Sequence, residues 1–345
     1  MSHLTINKDL NNLLGKKQRA VIITHKHPDG DAVGSALGFM LWLQQSGIQC
    51  ISVINSDPIP RTLQWLPGAS QWVSLSDNGT KSVEDILALS DLIFYLDFNA
   101  SYRMGRELQN LISLHLQQKK NCAVVIIDHH PDPEEGNDLT ISEPFRSATA
   151  EVLCGLVGLP DTKISSITPE IATCWLAAIC TDTGLFAHNA SRGELYTIVG
   201  QLIECGGDKE AIVQNIFHND KIERQQLLGY ILNKKIEYFP HLKTALFMLS
   251  LEELSQFDMQ ESDMDGLVNF PLSAETIEIA AFIRENETDG IKISLRSEKD
   301  WPVNIVAKEG FGGGGHKNAA GAEFSGTLLE ARSILLQQIE NLFNK

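Results

Sequence analysis

Basic residues are scarce in this chain of 345 residues: 28 lysines and arginines face 44 aspartates and glutamates, a formal charge of −16. Long nucleic acid is held by basic surfaces whose lysines and arginines displace counterions, so it is excluded as the main partner. Any phosphate handled here belongs to a small molecule and is held by local devices: metal ions, helix ends or a few arginines. Cysteine pairs are missing too. Cys50, Cys122, Cys154, Cys174, Cys180 and Cys205 are scattered without a Cys-x-x-Cys spacing, which suits reduced, space-filling thiols better than a disulfide frame. There is no run of about 18 apolar residues to span a membrane. The opening MSHLTINKDLNN lacks the basic start and apolar stretch of a secretory signal. The expectation is a cytoplasmic protein with no membrane partner.

What is present describes an ordinary globular protein, 43% hydrophobic and 21% charged, and the length suits two domains. Four apolar, β-branched runs mark the first half: RAVIIT (19–24), CISVIN (50–55), DLIFYLD (91–97) and AVVIID (123–128). Helical periodicity lies between them, as in GSALGFMLWLQQSG (34–47), closed by a glycine, and TPEIATCWLAAIC (168–180), which reads as a buried helix. Such alternation indicates an α/β fold, a doubly wound, mainly parallel sheet over residues 1–215. A polar helical linker is expected over 216–240. The runs KTALFMLS, TIEIAAFIRE and GIKISLRS then indicate a smaller mixed α+β domain over 241–345.

Acids and imidazoles follow the strands. His25, Asp29 and Asp31 come after the first run, with Gly34-Ser35 read as opening the next helix. Asp97 ends the third run, Asp128-His129-His130 the fourth, and Asp182 the buried helix. A doubly wound sheet binds ligands beyond the carboxyl ends of its strands, so these elements deliver their side chains to one edge. Taken singly, Asp97 or Asp182 could be no more than a helix cap. Together, several carboxylates with two or three imidazoles and no thiolate select a hard or borderline dication, Mn²⁺ ahead of Zn²⁺, with Mg²⁺ as an alternative. The carboxylates are too many for one ion, so two divalent metal ions sharing a carboxylate are expected. Adjacent strand residues point to opposite sides, so His129 and His130 should differ in role.

HKHPDGDAVGS (25–35), LDFNASYRMG (96–105), DHH (128–130), TDTG (181–184) and GFGGGGHKNAAG (310–321) resemble, in order and spacing, the motifs of the DHH phosphoesterases that carry a DHHA1 domain. Among these are the stand-alone bacterial nano-RNase (oligoribonuclease) and pAp phosphatase members. The resemblance covers most of the chain. It implies that His25 and Asp29 hold one metal, that Asp31, His129 and Asp182 hold the other, and that Asp97 bridges them. His130 would face the phosphate, with Asp128 orienting a histidine.

The glycine run before His316 could expose backbone N–H groups to an anion or serve as a flexible linker. Gly314, Gly315, His316, Lys317, Arg296 and Ser297 at an exposed strand end, and Arg103 are the candidate substrate contacts. The resemblance implies a second domain that closes over the metal site. It also implies in-line attack of a metal-bridged hydroxide on a short oligoribonucleotide or on 3′-phosphoadenosine 5′-phosphate. Cyclic di-AMP or pApA is the rival substrate, and an inactive nucleotide sensor the rival class. A homodimer stays open.

Overall fold

The computed structural model describes residues 7–16, 19–160, 167–219, 221–259, 261–264, 266–286 and 290–344, with the side chains of residues 50, 51, 261, 262 and 316 outside that description. The chain divides into two units, Met1–Asn219 and Asp220–Lys345.

The first unit is built on six strands: β1 (Arg19–Ile23), β2 (Gln49–Asn55), β3 (Trp72–Ser74), β4 (Leu92–Leu96), β5 (Ala123–Asp128) and β6 (Leu139–Ser142). They run parallel in the order β3-β2-β1-β4-β5-β6. The helices are α1 (Lys8–Leu14), α2 (Gly30–Gln45), α3 (Leu75–Leu89), α4 (Arg106–Gln118), α5 (Thr149–Leu156), α6 (Pro169–Asp182) and α7 (Gly193–Glu204). Strands covered on both faces must be apolar at every position, and β4 and β5 are buried throughout. Ala20, Ile22 and Phe94 pack with α2, α5 and α6 on one face. Val21, Ile23 and Ile93 pack with α3 and α4 on the other. The winding reverses between β1 and β4, which opens a crevice beyond their carboxyl ends.

The second unit is a mixed sheet in the order β11-β12-β10-β9-β8-β7. Its strands are β7 (Ile236–Phe239), β8 (Thr244–Leu249), β9 (Ile279–Glu285), β10 (Ile291–Ser297), β11 (Gly314–His316) and β12 (Ala319–Phe324). Only β8 and β9 pair in parallel. Helices Val303–Phe311 and Leu328–Phe343 cover one face. Of the segment expected to be a linker, residues 216–219 fall in the first unit and 220–240 in this one. Helix Ile222–Tyr230 places Leu227 against Phe247 and Phe282, and at Ile236 the chain turns into β7, because pairing with β8 overrides the helical pattern. Among the described residues no helix is long and apolar enough to cross a membrane.

Candidate metal centre

The loop after β1 is pinned from β2. Asn55 Nδ2 donates to Thr24 Oγ1 (2.6 Å) and to the His25 carbonyl (2.8 Å). Asp57 accepts the N–H of His27 at 2.7 Å, which holds His27 at φ 55°. Helix α2 then opens at Gly30, four residues before Gly34, because Asp29 caps it by accepting from the N–H groups of Asp31 and Ala32 at 3.0 Å each. Asp31 therefore sits in the first turn, buried, where Ser35 Oγ donates to its Oδ1 at 2.7 Å.

Asp182 arrives through close helix packing. A Cβ on Gly30 would lie 2.2 Å from Thr181, one on Gly34 2.5 Å from the Cys174 carbonyl, and one on Gly38 2.5 Å from Trp175. This i, i+4, i+8 stripe lets α6 lie directly on α2, so its last residue ends beside Asp31. Asp97, at φ 64° just past β4, completes the edge.

Among the described residues the side chains gather into three overlapping sets. One is Asp97, His129 and His130, with His130 Nδ1 3.9 Å from Asp97 Oδ1. The other two match the expected ligands. His25, Asp29 and Asp97 have ligand atoms within 4.8 Å of one another, as do Asp31, His129 and Asp182. His25 Nε2 lies 3.8 Å from Asp29 Oδ1 and 3.4 Å from Asp97 Oδ2. His129 Nε2 lies 3.8 Å from Asp31 Oδ2, 3.7 Å from Asp182 Oδ2 and 3.6 Å from Asp97 Oδ1. Asp97 thus turns one oxygen toward each of these two sets.

Imidazole polarity suits a dication. His25 Nδ1 is 2.9 Å from the Lys26 carbonyl and His129 Nδ1 is 3.2 Å from the Arg146 carbonyl. Carbonyls only accept, so each Nδ1 donates and each Nε2 turns its lone pair toward the carboxylates. Ligands about 2.1 Å from a shared ion stand about 3.0–3.7 Å apart, close to the spacing found here and longer than a good hydrogen bond.

The electrostatics point the same way. Burial disfavours charge on Asp97 and Asp182, and the neighbouring Asp31 adds repulsion, so both carboxyls are pushed well above the usual carboxylate range. Burial opposes charging of His25, but the facing carboxylates of Asp29 and Asp97 outweigh it and raise its pKa. His129 rises likewise, burial being overcome by Asp31 and Asp182. Without cations the cluster must take up protons; the residues present fit two divalent ions.

His130 is turned differently. Its Nδ1 lies 2.7 Å from Asp128 Oδ1, which also accepts the His129 N–H at 2.8 Å. Burial resists charge on Asp128, but these histidine contacts prevail and hold its carboxyl below the usual range. The carboxylate fixes the ring and keeps the proton on Nδ1.

Three supporting groups left no obvious trace in the sequence. The Thr149 N–H donates to Asp31 Oδ2 (2.6 Å), the Ala150 N–H to Asp31 Oδ1 (3.3 Å), and Thr149 Oγ1 to Asp97 Oδ1 (2.9 Å). Thr149 and Ala150 open α5, and the small residues of SATAE are the one signal that a close approach occurs there.

The expected substrate contacts are more dispersed. The Arg103 carbonyl accepts the Lys26 N–H at 2.7 Å, beside His25. Arg296 is the penultimate residue of the interior strand β10, half-buried, and pairs across to Ala280 and Ala319. The buried Ser297 hydroxyl donates to the Trp301 carbonyl (2.6 Å) and accepts from Asn318 (2.9 Å), a local structural use. Lys317 Nζ pairs with Asp300 at 2.6 Å on the surface. The side chain of His316 lies outside the described residues. The glycine run is neither a linker nor an open cradle. Gly312 closes a helix at φ 69°, Gly315 sits at φ 139°, and a Cβ on Gly313 or Gly315 would meet β12 within 2.6 Å. Gly312 and Gly314 face open space.

These observations define a two-domain α/β protein with a carboxylate–imidazole cluster that could hold metal ions at the switch point of its parallel sheet. Residues 19–179 match the DHH family N-terminal domain and residues 244–345 the DHHA1 domain. The chain belongs to the DHH family and carries a C-terminal DHHA1 domain. A crystal structure of an exopolyphosphatase-related protein from Bacteroides fragilis is 32% identical, with a TM-score of 0.89 over 99% of this chain and 98% of that one. The bifunctional oligoribonuclease and PAP phosphatase NrnA of Thermus thermophilus is 28% identical over 90% of this chain and 85% of its own length. The cyclic-di-AMP phosphodiesterase GdpP of Bacillus subtilis is 25% identical over 98% of this chain but 50% of its own.

Proposed function

We propose that the chain is a cytoplasmic, metal-dependent phosphoesterase acting on short oligoribonucleotides and 3′-phosphoadenosine 5′-phosphate with two divalent ions, Mn²⁺ ahead of Mg²⁺. The observation that carries this reading is Asp97, whose two oxygens face two separate sets of ligand atoms. Similarity to an oligoribonuclease and PAP phosphatase over most of both chains supports the substrate class. When bound, the ions would activate water and offset phosphate charge. His25 and Asp29 would hold one, Asp31, His129 and Asp182 the other, with Asp97 shared. His130, its Nδ1 proton facing Asp128, would donate from Nε2 to a phosphoryl or leaving oxygen.

Residues 1–215 would be the catalytic part and 241–345 the substrate-selecting part, through Arg296, His316 and Lys317, with Arg103 as a further phosphate contact. Similarity to GdpP along nearly the whole chain supports a second reading, in which cyclic di-AMP or pApA is cleaved. Sedimentation of the protein decides between a monomer and a homodimer.

Turnover of 3′-phosphoadenosine 5′-phosphate, a ribodinucleotide, pApA, cyclic di-AMP and pyrophosphate by one Mn²⁺-loaded preparation decides between them. The first two should be turned over fastest. A preparation that binds nucleotide tightly and cleaves nothing is a sensor, and the proposal fails.

A further inference from the structure

Segment 146–151 touches three residues of the candidate centre. The Arg146 carbonyl faces His129 Nδ1, the N–H groups of Thr149 and Ala150 face Asp31, and the Thr149 hydroxyl faces Asp97. Each of these contacts goes to the second set of ligands or to the shared carboxylate. His25 and Asp29 are held by other parts of the chain, the Lys26 carbonyl and the first turn of α2.

The segment is itself fixed by a charge. Glu151, a fully buried carboxylate, accepts from Arg146 Nη1 (3.1 Å), from the Ser147 N–H (2.7 Å) and from Arg192 Nη2 at both oxygens (2.6 and 2.5 Å). Arg192 reaches in from the residue capping α7. Arg146 is gripped further by Glu143 (2.9 Å) and Glu194 (2.9 Å), leaving its side chain little freedom. A buried carboxylate is costly to desolvate and is strongly destabilising if a partner is removed. A Leu or Met would fill the same space at less electrostatic cost, so fixing the segment's geometry is the benefit the ion pair confers.

We infer that the Glu151–Arg192 pair positions the second metal site, acting through segment 146–151 on His129, Asp31 and Asp97, and leaves the His25–Asp29 end of the centre untouched. Glu151 and Arg192 contact no reacting group in this scheme; they are positioning residues. The inference rests on the two-metal reading above. Outer partners of metal ligands change affinity by about 10–100-fold when removed, and here the change should fall on one of two binding events.

The test is calorimetric titration of the full chain with Mn²⁺, for wild type, Glu151→Gln and Arg192→Gln, with melting temperatures measured alongside. Ile198→Val, a buried α7 truncation distant in role from the cluster, controls for general loss of stability. Wild type should show two binding events. Both charge variants should weaken one event by about tenfold or more while the other moves by less than about twofold, and Ile198→Val should leave both in place. Arg192→Lys should recover part of the lost affinity. Equal weakening of both events, or no weakening in a folded variant, overturns the inference. A wild type that binds no Mn²⁺ overturns the metal reading itself. Should Glu151→Gln not fold, Arg192→Gln, on the half-exposed partner, carries the same test.

Discussion

Asp97 Oδ2 stands 3.4 Å from His25 Nε2 while Asp97 Oδ1 stands 3.6 Å from His129 Nε2. One carboxylate therefore faces imidazoles delivered by two different strands, β1 and β5, from a position between them in the sheet. Asp97→Asn should keep the backbone in place, because Asn tolerates φ near 64° as Asp does. Losing a shared anionic ligand costs a few kcal/mol of transition-state stabilisation, about 10²–10³-fold or more in kcat. Steady-state turnover of a ribodinucleotide at saturating Mn²⁺ checks this.

The same carboxylate should make the metal-free protein weaker at neutral pH. Its folded pKa is raised, first by burial and then by Asp31, so the folded state binds a proton more tightly than the unfolded state. Stability from this group is full in acid and declines as pH rises above the ordinary value of 3.8. Denaturant unfolding in chelator should therefore show Asp97→Asn losing less stability than wild type between acid and neutral pH. Added Mn²⁺ should reverse the order.

In the proposed mechanism His130 and Asp128 would act on chemistry rather than on metal affinity. His130→Ala should lower kcat by about 10²-fold or more, and Asp128→Asn by about 10–100-fold, since the amide no longer fixes the ring's tautomer. Mn²⁺ affinity should stay near wild type in both. A large loss of metal binding in His130→Ala would assign this ring to the ligands instead.

The Gly34 position governs how close α6 comes to α2. Even one methyl group would meet the Cys174 carbonyl at 2.5 Å, so Gly34→Ala should cost about 1–3 kcal/mol by thermal or denaturant unfolding. It should also lower Mn²⁺ affinity, because Asp182 rides on the end of the displaced helix.

In the second unit, Glu278 accepts from Lys299 (2.6 Å), Trp301 Nε1 (2.5 Å) and Lys243 (3.1 Å), and these contacts hold its carboxyl down at about 2. A depressed carboxylate contributes stability above its unfolded value of 4.5 and loses it as pH falls toward about 2. Glu278→Gln should flatten the acid limb of unfolding over that window and leave the neutral region's slope unchanged.

Much of this was legible in the chain. The four long apolar runs of the first half became β1, β2, β4 and β5 within a residue or two at their ends, because strands buried on both faces leave no choice but continuous apolar sequence. β3 and β6 were not anticipated: they are short, partly exposed edge strands with little pattern to read. The acids and histidines stood out because they break those runs abruptly. What could not be read was carried by backbone and packing. The N–H groups of Thr149 and Ala150 on Asp31 have no side-chain signature. Helix α2 began earlier than its apolar pattern because Asp29, expected as a ligand, also caps it. The glycines before His316 suggested a phosphate cradle, yet two of them answer the close approach of β12.

The sharing of Asp97 is open to direct measurement by electron paramagnetic resonance of the Mn²⁺-loaded chain. Two ions bound per chain with an exchange-coupled spectrum, and loss of that coupling in Asp97→Asn, is the predicted result. A single magnetically isolated Mn²⁺ per chain, or a coupled pair that survives Asp97→Asn unchanged, would contradict it.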